Sequence, residues 1–213
     1  MNRDVEISEV GPRDGLQMLK GIMPTSAKKA WIAALAASGL PEIEVCSFVS
    51  PKLLPQMADA AEVVAYARTL SGLHVAALAP NAKGTARAIE AGAQKITLPL
   101  SVSRSHSIAN VRKTPDEMVE EIRESAKLRD EFGSKPGIEA GLSTAFGCTI
   151  EGSVAESEVV RLAVAAIAAG AEEVGLADTT GMANPQQIKQ VISAVRREIG
   201  RSEEHTSELQ SRE

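Results

Sequence analysis

The sequence is poor in aromatic residues: three phenylalanines, one tyrosine and one tryptophan make up 2% of 213 residues. Proteins that hold nucleic acid use aromatic stacking platforms and a basic surface. This chain has neither, since its formal net charge is −5. Cysteine is equally scarce. Cys46 and Cys148 stand far apart and make no metal-type pair, so no disulfide framework or cysteine-rich zinc site is written here. No apolar run reaches the roughly 18 residues that cross a bilayer. The opening residues, Met1 to Glu6, lack the apolar stretch of a secretory signal. The composition therefore reads as a reduced cytoplasmic protein with no nucleic acid and no membrane among its partners.

What is present is a chain that is 44% hydrophobic and 24% charged, enough for one sizeable core or two small ones. One local pattern recurs. Ala37-Ser38-Gly39, Glu90-Ala91-Gly92 and Ala168-Ala169-Gly170 each end a helical stretch and lead into a short β-rich run. Glycine takes the left-handed conformation at a helix C-terminus without a Cβ penalty. Gly72 and Gly133 fit the same place less cleanly. Helix starts are equally legible. Thr114 to Glu117 offers a capping box with proline at the first helical position. Ser153 with Glu156 offers another, and Asn184 to Gln187 a third. The helix after Asn184 carries Ile188, Val191, Ile192, Val195 and Ile199 on one face.

These signals place strands near 4–10, 42–47, 74–79, 95–100, 137–143 and 173–178. They place helices near 25–38, 58–71, 82–91, 115–132, 154–169 and 185–199. Strand and helix alternate without antiparallel hairpins, which implies an α/β fold with a parallel sheet and right-handed crossovers. A barrel and a doubly wound open sheet both satisfy this. A dinucleotide-binding sheet would carry Gly-x-Gly-x-x-Gly after the first strand, and Gly11-Pro12-Arg13-Asp14-Gly15 is not that. From Arg201 the character changes: thirteen residues hold a single apolar side chain and carry a net charge of −2, leaving −3 for the rest. The segment 201–213 is expected to be a non-native tail, similar to a translated sequencing adapter, and 1–200 the folded domain.

In a parallel barrel, chemistry collects where strands end. After the first strand stand Arg13 and Asp14, between Gly11-Pro12 and Gly15; a surface salt bridge on a turn is the plain alternative. Glu44 lies between Ile43 and Val45, where a carboxylate is expensive to bury without a partner. Alternation puts it on the face opposite those two, with Arg13 as its natural partner. Asp178 follows the sixth strand, where aspartate also serves as a turn residue. Cys148 reads more readily as a small buried hydrophobe than as a nucleophile. His74 and His106 have no partner at metal-ligand spacing.

These residues carry a resemblance. The stretch Val5 to Gln17, VEISEVGPRDGLQ, is similar to the opening of the 3-hydroxy-3-methylglutaryl-CoA lyase family. Glu44 to Lys52, Pro55-Gln56-Met57, Pro80 to Gly84, Gly147 to Gly152 and Ala177 to Gly181 continue it in order. The resemblance implies an incomplete TIM (β/α)8 barrel with about six βα units, strands seven and eight missing. It implies a divalent-metal-dependent carbon–carbon lyase that cleaves an acyl-CoA to acetoacetate and acetyl-CoA, as in leucine degradation and ketone body metabolism. Mg2+ or Mn2+ is the implied cofactor and a homo-oligomer the implied state. Asp14 matches a metal ligand, and Arg13 the arginine at the thioester oxygen. Glu44 matches a carboxylate near both, and Asp178 an acid lining the site. Gln17, Lys20 and Asn110 match substrate-binding positions.

The family's His-x-His pair, its glycine-loop cysteine and a metal-binding asparagine have no match here, so the chain alone is expected to be inactive. Ser103 to Lys113 also departs from the family pattern, with Arg112 where an asparagine is usual. That leaves open a paralogous lyase or condensing enzyme for another β-hydroxyacyl-CoA such as citramalyl-CoA. A non-catalytic fragment that binds CoA or a partner subunit is the third reading.

Overall fold

The computed structural model describes residues 6–133 and 135–200. The proposed non-native segment 201–213 lies outside the described residues, as does the start of the first expected strand. The elements run β1 (Ser8–Glu9), α1 (Thr25–Ala37), β2 (Glu42–Ser47), α2 (Ala60–Ala67), β3 (His74–Leu78), α3 (Ala82–Ala91), β4 (Lys95–Ser101), α4 (Arg104–Val111), α5 (Pro115–Glu131), β5 (Gly137–Ser143), α6 (Glu156–Ala168), β6 (Glu173–Leu176) and α7 (Pro185–Ile199). The strands follow the sheet in chain order, β1 to β6.

The chain forms two compact units. The first takes the residues up to Thr97 together with Leu128–Pro136. In it β1 pairs with β2, β2 with β3 and β3 with the start of β4, all parallel. Its core sets Ile43, Val75, Ala77 and Ile96 from the strands against Ile32, Val63, Val64 and Ala88 from the helices. The second unit takes Leu98–Lys127 and the residues from Gly137 onward. There β5 pairs parallel with β6. Leu98, Leu100, Ile138 and Leu142 are buried in this unit, as are Met118, Ile122, Leu162 and Ala166.

The helix-ending glycines behave as their sequence context demands: Gly39, Gly92 and Gly170 all have positive φ. Gly170 is constrained twice, because a Cβ there would lie 2.7 Å from the Cβ of Ala126. The Thr114 capping box forms in both directions. Its Oγ1 accepts from the Glu117 N–H, and the Glu117 carboxylate accepts from the Thr114 N–H. Asn184 caps α7 by accepting from the Gln187 N–H. The Ser153–Glu156 box does not form. The extended residue before α6 is Ala155, which has no side-chain cap, so Glu156 is the first helical residue.

Two features depart further from the sequence pattern. The helix α4 was not anticipated, because Ser107 is its one buried residue and no apolar stripe marks it. Ser103 starts it, accepting from the His106 N–H. In β2 the pairing with β3 shifts between Glu44 and Cys46, leaving Val45 as an extra residue. This bulge breaks the simple alternation expected around Glu44, and five consecutive residues of β2 are buried.

At the N-terminal ends of β2, β3 and β4, Glu42 accepts from His74 Nδ1 at 2.9 Å and from Lys95 Nζ at 3.4 Å. Burial pushes the Glu42 carboxyl up, but the His74 hydrogen bond, the Lys95 charge and Ser8 outweigh it and hold it at about 2. A carboxylate depressed in the folded state stabilises fully above its unfolded pKa and loses that contribution as pH falls through the folded value. Urea unfolding should therefore show about 1–3 kcal/mol of stability lost between pH 5 and pH 2 that depends on Glu42. The Glu42→Gln variant should lack that part of the loss. An identical acid profile in both proteins would remove Glu42 from the account.

Candidate active site

The first unit builds its functional cluster on a wide turn of π type, Gly11–Gly15, directly after β1. Its geometry follows from the residues. The N–H groups of Arg13 and Asp14 both donate to the Val10 carbonyl, at 3.0 and 2.7 Å. Glu9 Oε1 accepts from the Gly11 N–H at 2.6 Å. A Cβ on Gly11 would meet that oxygen at 2.7 Å and the Trp31 ring at 3.3 Å, so a larger residue would have to displace the Glu9 carboxylate from the Gly11 N–H. Buried Pro12 and Leu16 anchor the turn at either end. Single π-type turns are uncommon and concentrate at functional sites.

Arg13 is thereby aimed at β2. Its Nε donates to Glu44 Oε2 at 2.5 Å and its Nη1 to Asp14 Oδ1 at 2.7 Å. The side chain of Glu44 is 5% exposed, that of Arg13 15% and that of Asp14 54%. The surface-bridge reading of Arg13 thus holds only for its contact with Asp14. Gln17 Nε2 donates to the same Asp14 oxygen at 2.7 Å. Arg13, Asp14, Gln17 and Glu44 come together as one hydrogen-bonded set. Lys20 lies three residues beyond Gln17 on an exposed segment.

The second unit places Asp178 just past the end of β6, exposed. Its carboxylate accepts from the Met182 N–H at 2.9 Å and the Ala183 N–H at 3.1 Å. Asp178 therefore holds its own loop closed, as the turn reading anticipated. Asn110 is exposed near the C-terminus of α4. Arg112 ends that helix with φ of 59°, a left-handed conformation that asparagine takes more readily.

Sequence reasoning passed over Thr144. This buried, β-branched residue follows β5 with φ of 59°, a strained backbone for its type. Three hydrogen bonds hold it. Its N–H donates to Thr179 Oγ1, its hydroxyl donates to the Ser143 carbonyl, and that hydroxyl accepts from the Ser103 N–H. The sequence signal was the run of hydroxyl residues after β4, β5 and β6.

Cys148 is fully buried, as expected of a small apolar residue. Burial pushes its thiol up, but the Ser103 hydroxyl and the N–H groups of Glu151 and Ile150 hold it below the ordinary value. Burial pushes the Cys46 thiol far up, and the charges of Glu44 and Asp59 add to this.

Among the described residues no three histidine, cysteine, aspartate or glutamate side chains group as a metal site. Asp14 offers one carboxylate, and one of its oxygens already serves Arg13 and Gln17. The described residues do not by themselves make a metal centre.

Residues 4–208 match the family model described as HMGL-like. The chain belongs to the HMGL-like family. It is 40% identical over 191 residues to the mitochondrial hydroxymethylglutaryl-CoA lyase of Arabidopsis thaliana, covering 90% of this chain and 40% of that protein. It is 37% identical to a hydroxymethylglutaryl-CoA lyase of Bacillus subtilis, covering 91% of this chain and 64% of that one. Among solved structures, an HMG-CoA lyase of Acinetobacter baumannii in complex with coenzyme A and 3-methylmalate superposes with a TM-score of 0.84 at 36% identity. That match covers 92% of this chain and 65% of the other. The chain thus spans between 40% and 64% of the length of these two curated relatives. Its fold class is that of the family: six consecutive βα units of TIM-barrel type, an incomplete barrel.

The Arg13–Glu44 pair has a measurable signature. Removing one member of a buried pair strands the other charge and costs about 3–5 kcal/mol, whereas replacing both with apolar groups is near neutral. Glu44→Leu should therefore lower unfolding stability by about 3 kcal/mol, and adding Arg13→Met should recover most of the loss. Additive losses in denaturant titrations of the three variants would contradict the pairing.

Proposed function

We propose that the protein carrying these residues is a carbon–carbon lyase that cleaves 3-hydroxy-3-methylglutaryl-CoA to acetoacetate and acetyl-CoA. The observation that supports this best is the fixed guanidinium of Arg13. Glu44 and Asp14 take Nε and Nη1, and Nη2 has no protein acceptor among the described residues. A cation held in this way is ready for a substrate oxygen.

The chemistry needs such a group. The substrate has a tertiary alcohol β to a thioester. When a base takes the alcohol proton, the oxygen electrons form a ketone and the C2–C3 bond breaks. Its electron pair passes to the thioester as an enolate, and protonation at C2 gives acetyl-CoA. Negative charge grows on the thioester oxygen. A donor oriented before the reaction stabilises that charge without reorganisation. In this reading Arg13 is that donor and Glu44 orients it. Gln17, Lys20 and Asn110 bind substrate, and Asp178 lines the site. Asp14 would be one ligand of a divalent ion, Mg2+ or Mn2+, whose chemistry there would be to make the alcohol more acidic. One carboxylate does not hold such an ion tightly.

The partner is an acyl-CoA, and we assign a homo-oligomer in the cytoplasm. The cytoplasmic assignment is consistent with both cysteines being free and buried. Among the described residues no helix is long and apolar enough to cross a membrane.

The test is acetoacetate release from 3-hydroxy-3-methylglutaryl-CoA with added Mg2+ or Mn2+, measured on this chain extended to the full length of its relatives, since residues 1–213 alone are expected to release none. No release under either ion would overturn the reading. In the active protein, Arg13→Met should lower kcat about a hundredfold to a thousandfold and leave KM within a few-fold. A variant with near-normal kcat would remove Arg13 from the role.

A further inference from the structure

We infer that Gln56 is a positioning residue that latches the segment 17–23, and with it Lys20, to the body of the first unit. The inference rests on the lyase reading for what Lys20 does, but not for the latch itself.

The segment has little else to hold it. Beyond buried Leu16, residues 18–22 are all exposed, including the apolar side chains of Met18, Leu19 and Ile22. Burial therefore contributes almost nothing to its placement. Gln17 ties the start of the segment to Asp14; beyond it, one side-chain hydrogen bond reaches residues 18–22 among the described residues, from Gln56 Nε2 to the Leu19 carbonyl at 2.5 Å. Lys20 is the next residue.

Gln56 is itself held from behind. It lies on the tight turn Pro55–Met57, pinned by buried Met57. The Lys28 ammonium donates to the Gln56 carbonyl and, at 2.6 Å, to Asp59 Oδ1. Asp59 Oδ2 accepts from Thr25 Oγ1 at 2.7 Å. Lys28 is 3% exposed, an unusual place for a lysine unless its charge is needed there.

The orientation of the Gln56 amide is the telling detail. Its Oε1 is buried with no hydrogen-bond partner among the described residues. A buried acceptor without a donor costs stability. A leucine of similar size would avoid that cost, so the amide is retained for what its Nε2 does to the Leu19 carbonyl. Glutamine here stabilises the position of one loop at the expense of the fold.

Gln56→Leu separates the two roles. A merely structural glutamine would lower the unfolding midpoint when replaced. The latch predicts an unchanged or raised midpoint, with amide hydrogen exchange in residues 17–23 faster by about tenfold or more. In the active protein it also predicts KM for 3-hydroxy-3-methylglutaryl-CoA raised by about tenfold with kcat nearly unchanged, because Lys20 binds substrate before and after the bond breaks. Unchanged exchange in residues 17–23 overturns the latch. Faster exchange with KM unchanged overturns the positioning of Lys20. Absence of cleavage by the parent protein would fall on the lyase reading alone, and the exchange rates would still decide the latch.

Discussion

The contact between Arg13 and Glu44 is what the first unit is arranged around. An ion pair with little solvent access is not a source of stability, since desolvation takes back most of the Coulombic gain. It persists only where the geometry is good and the surrounding backbone holds both partners still. Here two local irregularities supply that backbone. The π-type turn at Gly11–Gly15 lifts Arg13 off the end of a strand only two residues long. The bulge at Val45 interrupts β2 immediately after Glu44. Bulges of this kind re-aim side chains beside functional sites.

Two carboxylates of β2, two positions apart, show how one strand divides its work. Glu42 faces His74 and Lys95 at the N-terminal ends of the strands, where charge pairing serves stability. Glu44, two positions on, faces Arg13 instead. The same residue type thus meets different partners two positions apart on one strand. Composition alone assigns neither part, and the strand positions of their partners assign both.

Much of this was legible in the sequence because it is local. Helix-ending glycines, the Thr114 capping box and the Asn184 cap act within four or five residues, and they placed most elements to within a residue or two. Arg13 could be paired with Glu44 because a buried carboxylate between Ile43 and Val45 demands a nearby cation. What was hidden depends on contacts far along the chain. Helix α4 has no apolar stripe to announce it. The bulge at Val45 exists only in relation to β3. The strain at Thr144 is stabilised by Ser103 and Thr179, distant in sequence. Lys28 did leave a trace, since it shares the buried side of α1 with Ile32, four residues on. A lysine on an apolar stripe is a signal that a carboxylate waits elsewhere, and that carboxylate proved to be Asp59.

The loops that follow the strands share a physical problem. They expose apolar side chains such as Leu53 in the first unit and Ile150 and Met182 in the second, so packing cannot decide where they rest. Directional hydrogen bonds decide it instead. In the second unit Asp178 accepts from Met182 and Ala183, Thr180 donates to the Gly147 carbonyl, and Gln187 donates to the Phe146 carbonyl. In the first unit Gln56 does the same for Leu19. Hydrogen bonds of this kind have narrow angular wells and modest net energies. They can therefore hold a loop in one place while leaving it cheap to release.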